Sequence, residues 1–373
     1  MEQKKAAIYD KIGVAVDLGS TTMAVSCIDM ASKNEILSFS LPNPQYQFGA
    51  DVITRIRHCM DDEKMMKKLG SMVEESLMER LRDELKECDY DICRIVYSGN
   101  TAMLHILRGL SVNGLAAAPF TPVDIEYREE VKNGCRAVTV VYPPGFSAFV
   151  GADILTGAQY LQMGNTDSYD LLVDLGTNGE MLLLNKEHGY AASTACGPVF
   201  DHVLTGASYG SDCIRAVANC VKRGLIDRSG KIKSPFFEKG IVIDKGFVIR
   251  QENVRNFQLA KAAIYAGIEC LCSKAKVRFL DIRQVYISGG LGFYMDVRDA
   301  VTVKMLPEEF RKKILIAGNT SLKGARELLL AENNEEEKNA ILLTYEKIRQ
   351  RTESFELADM EGFQETYIQS LDF

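Results

Sequence analysis

The sequence of 373 residues predicts a duplicated α/β fold, and three observations carry that expectation. One apolar run ends in Asp17-Leu18-Gly19 followed by Ser20, Thr21 and Thr22; a second ends in Asp174-Leu175-Gly176 followed by Thr177, Asn178 and Gly179. Each is the pattern of a buried strand turning tightly into a partner strand. Late in each half a strand runs into a Gly-rich bend, at 93–101 (CRIVYSGNT) and again at 284–292 (QVYISGGLG). The length exceeds a usual single core, and 46% hydrophobic residues supply apolar surface for two compact domains.

In chain order, the patterning predicts a sheet over 12–40, a helical stretch over 51–86, a strand over 93–97 and a helix over 102–107. Pro119, Pro122, Pro143 and Pro144 punctuate the path toward a helix beginning near Gly151. Strands follow over 171–185, then helices over 259–279 and 321–330. From residue 333 a charged opening (NNEEEK) leads into Ala340, Ile341, Leu342, Leu343, Tyr345 and Ile348, a pattern expected of an appended amphipathic helix and tail. The expected domains are 1–145, 146–332 and a C-terminal helix and tail over 333–373.

The paired hairpins point to a bound nucleotide phosphate. Gly19 and Gly176 let phosphate approach the main chain, while Ser20, Thr21, Thr22, Thr177, Asn178 and the backbone at Gly179 offer donors to its oxygens. Asp17 and Asp174 repel phosphate directly, so both are expected to act through a divalent cation, Mg²⁺ with retained waters, as metal ligands of catalytic importance. Ligands of open sheets gather beyond the carboxyl ends of parallel strands, which places Gly99, Asn100 and Thr101, and Gly289, Gly290 and Gly292, at the border of the same cleft. No Gly-x-x-x-x-Gly-Lys-Ser/Thr occurs, which disfavours a P-loop fold.

Composition narrows the class further. The net charge of -7, with basic segments such as 64–68 short and matched by acids, argues against nucleic-acid binding. No run approaches membrane-spanning length and no signal peptide is evident, so the cytoplasm is the expected compartment. The ten cysteines are scattered through apolar patterns, as expected of reduced, mostly buried thiols. Cys88 and Cys93 have the spacing of half a plant-type ferredoxin site, but Val96 stands where the next ligand belongs and the next cysteine is Cys135. Cys270 and Cys272, two apart on a helix, point to different sides and are expected to pack in the core.

These residues resemble the superfamily of sugar and acetate kinases, heat-shock chaperones and actin. Within it the chain is most similar to the ATPase part of the reductive activators of corrinoid proteins. The resemblance runs through 43–51 (NPQYQFGAD), 98–105 (SGNTAMLH), 118–120 (APF), 149–153 (FVGAD), 173–180 (VDLGTNGE), 193–198 (STACGP), 258–264 (QLAKAAI), 288–292 (SGGLG) and 318–325 (GNTSLKGA), and into the tail at 355–365. It implies two RNase-H-like domains around ATP and Mg²⁺, ATP hydrolysis, a corrinoid protein as partner, and a homodimer as an option. Such relatives usually carry an N-terminal [2Fe-2S] domain not found here, so a separate iron-sulfur donor is expected to supply the electron; otherwise the ATPase module serves another use. A small-molecule kinase of the same superfamily and a nucleotide-binding regulator are the alternatives.

The resemblance also frames the remaining candidates. Asp153, on a helix that crosses between domains in the superfamily, either orients or deprotonates the attacking water, or coordinates through the metal's shell, or helps to cap its helix. Gly197 and Pro198 either bring backbone near the nucleotide or form an ordinary turn; here relatives have AGPAFEG where 196–202 reads CGPVFDH, so Asp201 shortens the acid and His202 replaces a glycine. Lys261, with Gln258 and Ala262, flanks the adenosine or lies on a solvated helix face. Residues 43–51 form either a locally folded connection or a partner contact.

Overall fold

The two apolar runs ending in Asp17 and Asp174 are central strands, flanked on both sides and covered on both faces, which is why they lack alternation. The computed structural model describes residues 8–49, 51–60, 62–86, 88–133, 137–196, 210–243, 248–293 and 295–373. In chain order the elements are β1 (Ile8–Leu18), β2 (Thr22–Asp29), β3 (Glu35–Pro42), α1 (Val52–Cys59), α2 (Glu63–Glu84), β4 (Asp89–Gly99), α3 (Thr101–Arg108), β5 (Arg128–Asn133), β6 (Ala137–Tyr142) and α4 (Ala152–Tyr160). There follow β7 (Asp170–Leu175), β8 (Gly179–Leu184), β9 (Gly189–Thr194), α5 (Gly210–Lys222), β10 (Ile241–Val242), β11 (Val248–Ile249), α6 (Gln251–Ala275), β12 (Gln284–Ser288), α7 (Gly289–Phe293), α8 (Val297–Thr302), β13 (Ile314–Gly318), α9 (Thr320–Ala331), α10 (Glu335–Gln350), β14 (Thr352–Ser354) and α11 (Phe363–Gln369).

The chain divides into two compact units, one of residues 1–161 with 320–350 and the other of 162–319 with 351–373. In the first, the described residues form a sheet of order β3-β2-β1-β4-β6-β5, where β1, β2 and β3 are an antiparallel meander and β4 and β6 continue parallel to β1. In the second, the order is β13-β12-β7-β8-β9-β14, with β7, β8 and β9 as the meander and β12 and β13 parallel to β7. The duplication extends to register: Asp17 lies opposite Ser98 on β4, and Asp174 opposite Ser288 on β12.

Helices cover these sheets through periodic apolar faces. Asp62 caps α2 by accepting from the Met65 amide, and Met66, Leu69, Val73, Leu77 and Leu81 bury one stripe into the first core. In the second unit Cys270 and Cys272 pack in the core, as does Cys213, whose thiol burial pushes up to about 12.

The domain boundaries differ from those the patterning predicts. Helices α4 and α9, expected within 146–332, fold with the first unit, as does α10, expected in a separate C-terminal segment, and residues 351–373 join the second. The physical reason is a bare strand face: Gly13 leaves room on β1, where a Cβ would stand 2.9 Å from both terminal methyls of Leu329 on α9. Glu332, at the α9–α10 junction, binds Arg94 of β4 at 2.7 Å and Lys338 at 3.0 Å. Residues 352–354 then pair in parallel with β9, and Leu357 and Phe373 enter the second core.

At Gly324 α9 packs directly on the α4 backbone, since a Cβ there would lie 2.2 Å from the Thr156 carbonyl oxygen. Gly to Ala in a free helix gains about 1 kcal/mol, but a clash with backbone costs about 1–3 kcal/mol or more. Gly324→Ala is therefore expected to lower the thermal midpoint by several degrees; a midpoint equal to or above that of the parent chain would show that the two helices do not touch.

Candidate functional site

The turn joining β1 to β2 is held from behind at three consecutive carbonyls. The Asn43 amide donates to Gly19 O at 2.8 Å, the Arg55 guanidinium donates to Ser20 O, and the Asn43 backbone N–H donates to Thr21 O at 2.8 Å. Because a trans peptide sets its C=O and N–H in opposite directions, each grip turns the amide of the next residue, Ser20, Thr21 or Thr22, the other way. Successive amides turned to one side of a tight hairpin are the makings of an anion cradle. Gly19 closes the turn by donating to Thr22 O, and a Cβ there would stand 2.7 Å from that oxygen.

Arg55 is fully buried on α1, with Gly49 O at 2.9 Å and the Gln45 side chain at 3.5 Å as its other oxygen acceptors. Burial lowers its pKa to about 10, far above neutrality, so it places a positive charge beneath the hairpin. Asn43 also caps the short helix Pro44–Phe48 by accepting from Gln45 N. Residues 43–49 thus fold locally and support the turn; Ala50 lies outside the described residues.

Asp17 stands beside this hairpin and accepts from Ser321 Oγ at 2.7 Å. Gly99 ends β4 so close to β1 that a Cβ would meet Leu18 O at 2.7 Å. Asn100 caps α3 by accepting from Ala102 N, and Thr101 Oγ1 donates to Ser147 O at 2.6 Å. His105 Nε2 receives the amides of Val123 and Asp124, which leaves Nδ1 to donate to Thr101 O at 2.8 Å. Asp153 sits in the first turn of α4; Gly151, not Asp153, is the capping residue, and Asp153 Oδ1 accepts from the Ile154 amide at 2.9 Å. The start of α4 lies against the β4–α3 junction, for a Cβ on Gly151 would be 2.6 Å from Gly99 O.

The second unit repeats the plan with different supports. The β7–β8 turn closes by Gly176 N–H donating to Asn178 O at 3.0 Å, with Thr177 between them. Asp174 Oδ2 accepts from Ser288 Oγ at 2.6 Å. Gly289, at φ +84°, presses so near the carboxylate that a Cβ would stand 2.6 Å from Asp174 Oδ1. Gly176 and Gly290 face space, with nothing closer than 3.7 Å to a Cβ at the first and nothing within 4 Å at the second. Neither fold nor backbone angle demands glycine there, which suits close approach by a ligand. Gly179 and Gly292 are instead hemmed in by Cys196 Sγ and Ile287 Cγ2.

Lys261 is not on a solvated face. Its ammonium is fully buried and donates to Ser370 O and Asp372 O, both at 2.5 Å, while neighbouring Gln258 donates to Leu371 O at 2.7 Å. Gly197, Pro198, Asp201 and His202 lie outside the described residues. Sequence patterning also passes over Asn43, Arg55, Ser288 and Ser321 as supports; only Ser288, at the start of the recurrent Gly-rich bend 288–292, has a local signal that points to it.

The donors fit a hydrated Mg²⁺. Asp17 and Asp174 offer hard carboxylate oxygens, and Mg²⁺ binds through one or two carboxylates plus substrate phosphates while keeping waters. No cluster of three or more His, Cys, Asp or Glu forms a metal cage among the described residues.

Two sheets of one topology, each bringing an aspartate, a tight hairpin and a second strand end together, define a nucleotide-binding protein of the actin-like, duplicated RNase-H-like class. The chain belongs to the RACo family: residues 12–166 match the RACo middle region, and 168–207 and 203–373 match the C-terminal domain of RACo, the ASKHA domain. It is similar to the corrinoid activation enzyme RamQ of Eubacterium limosum, 29% identical over 448 residues that cover 100% of this chain and 71% of the relative. It is also similar to the [Co(II) methylated amine-specific corrinoid protein] reductase of Methanosarcina barkeri, 23% identical over 86% of this chain and 70% of that one. A solved reductive activator for corrinoid, iron-sulfur protein superposes with a TM-score of 0.83 at 25% identity, over 98% of this chain and 66% of its own.

Burial, with Lys304 nearby, pushes the Lys261 ammonium down to about 7, against an opposing pull from Asp372. The unfolded side chain keeps its proton up to its ordinary value of 10.5, so above about pH 7 the unfolded state binds more protons and stability rises with pH. Lys261→Met is expected to flatten the pH dependence of the thermal midpoint between about pH 7 and pH 10; an unchanged slope would remove Lys261 as its source.

Proposed function

We propose that this chain binds and hydrolyses MgATP at its two Asp-x-Gly hairpins and uses that cycle to help return a corrinoid protein from inactive cob(II) to reactive cob(I). The observation that carries the proposal is the repeated arrangement: an aspartate at the end of each central strand, a serine opposite it in register, and a tight hairpin beside it. The three relatives, each named for corrinoid activation or reduction, suggest the substrate class. Reduction of this centre is uphill for ordinary donors, which gives ATP a task; one electron from a reduced iron-sulfur donor completes the step.

In this proposal the amides and hydroxyls of 20–22 and 177–178 hold phosphate oxygens, with Arg55 adding charge beneath the first hairpin. Gly290 and Gly176 give the nucleotide room. Asp17 and Asp174 hold Mg²⁺, which neutralises charge on the phosphate oxygens. Asp153 orients the attacking water. Gly99, Asn100 and Thr101 shape the backbone beside Asp17, and Gly179, Gly289 and Gly292 do so beside Asp174.

The test measures ATP turnover alone and then with a reduced iron-sulfur donor and a corrinoid protein, following cob(I) absorbance. Turnover that rises with the corrinoid protein, together with cob(I), is expected; neither response would sink the proposal. Asp17→Asn and Asp174→Asn should each lower Mg²⁺-dependent turnover by about a hundredfold or more while the thermal midpoint stays within a few degrees. Normal hydrolysis by both variants would refute the metal assignment.

A further inference from the structure

Behind Asp17 lies a line of buried hydroxyls. Ser321 Oγ, on α9, is 2.7 Å from Asp17 Oδ1 and 3.0 Å from Ser98 Oγ on β4; Ser98 Oγ is 2.9 Å from Thr156 Oγ1 on α4. Ser98 and Thr156 are wholly buried and Ser321 nearly so. The proton order follows from the far end. An ionised carboxylate only accepts, so Ser321 spends its single proton on Asp17 and Ser98 donates to Ser321; the Thr156 hydroxyl, which also has the Asp153 carbonyl oxygen at 3.2 Å, then gives its proton to the nearer Ser98 at 2.9 Å. Ser98 and Ser321 each accept from one neighbour and donate to the next, and such chains polarise cooperatively.

The second unit shows what this chain replaces. There Ser288, the residue in register with Asp174 as Ser98 is with Asp17, donates to its aspartate directly at 2.6 Å. In the first unit α9 inserts Ser321 between the equivalent pair. Gly324, one helical turn onward, permits this by letting α9 lie against the Thr156 backbone. The block 318–325, conspicuous in the sequence but without a role in the hairpins themselves, thereby reaches Asp17.

We infer that Ser321 is a positioning residue for Asp17, and that the Thr156–Ser98–Ser321 chain ties the orientation of this carboxylate to α4, the helix carrying Asp153. The inference rests on Asp17 being a Mg²⁺ carboxylate. Without Ser321 the carboxylate can turn from the pose that Mg²⁺ and nucleotide require, although its charge is intact. Thr156, which touches neither Asp17 nor the hairpin through this chain, acts only by way of the two serines.

Calorimetric titration of ATP at a series of Mg²⁺ concentrations, with thermal melts of the nucleotide-free protein alongside, separates positioning from folding. Loss of a hydrogen bond to a charged group predicts that Ser321→Ala raises the half-saturating Mg²⁺ roughly tenfold, with nucleotide-free melting shifted by no more than a few degrees. Ser98→Ala should act in the same direction, and Ser321→Thr, which returns a hydroxyl, should recover most of the affinity. Thr156→Val should weaken Mg²⁺-dependent binding less, and adding it to Ser321→Ala should cause no further loss, because the chain is already cut. If Asp17→Asn abolishes Mg²⁺-dependent binding while Ser321→Ala and Ser98→Ala bind as the parent does, the positioning role is overturned and the metal assignment stands. If Asp17→Asn itself binds normally, the metal assignment fails and the inference with it. Fully additive losses for Ser321→Ala and Thr156→Val would break the proposed chain.

Discussion

The first unit depends on how closely one late helix lies against its sheet. Helix α9 reaches β1 because Gly13 has no side chain, reaches α4 because Gly324 has none, and so brings Ser321 to Asp17. These local facts share one cause: α9 lies close enough that an added carbon would press on the Leu329 side chain at Gly13 and on the Thr156 backbone at Gly324. Interiors packed this tightly transmit displacement rather than absorb it, so a shift of α9 is felt at the carboxylate.

The two units solve one problem with different materials. Both end a central strand in an aspartate and oppose it in register with a serine. In the second unit that serine suffices, and Gly289 crowds the carboxylate from the other oxygen. The first uses an additional helix, and its hairpin is further braced by Asn43 and a buried arginine. Duplication preserved strand order and register, which backbone hydrogen bonding fixes, while the side-chain supports diverged because several donor types can hold one oxygen in place.

The hairpins were legible in the sequence because their signal is local: an apolar run, an aspartate, and a glycine that closes a turn within a few residues. The same holds for the strand ends at Gly99 and Gly289. Asn43, Arg55 and Ser321 were not legible as supports, since each acts on a hairpin 24 to 304 residues away and nothing in its immediate neighbourhood reports that contact. The limits of the two units depart from a boundary at 332 for a related reason. A charged helix start marks where a helix begins, not which sheet receives it; contacts distant in sequence, Leu329 over Gly13 and Glu332 with Arg94, mark that. Lys261 was open between a ligand contact and a solvated face; its burial depends on carbonyls more than 100 residues downstream.

The late position of α9 also bears on biosynthesis. Residues 8–160 can leave the ribosome and pair their strands well before residues 320–350 have been made. Until then the Gly13 face of β1 stays uncovered and Asp17 lacks its serine. Packing of the first sheet must therefore wait for residues 320–350, and contacts of such long sequence separation slow final closure and leave an apolar strand surface uncovered in the interval.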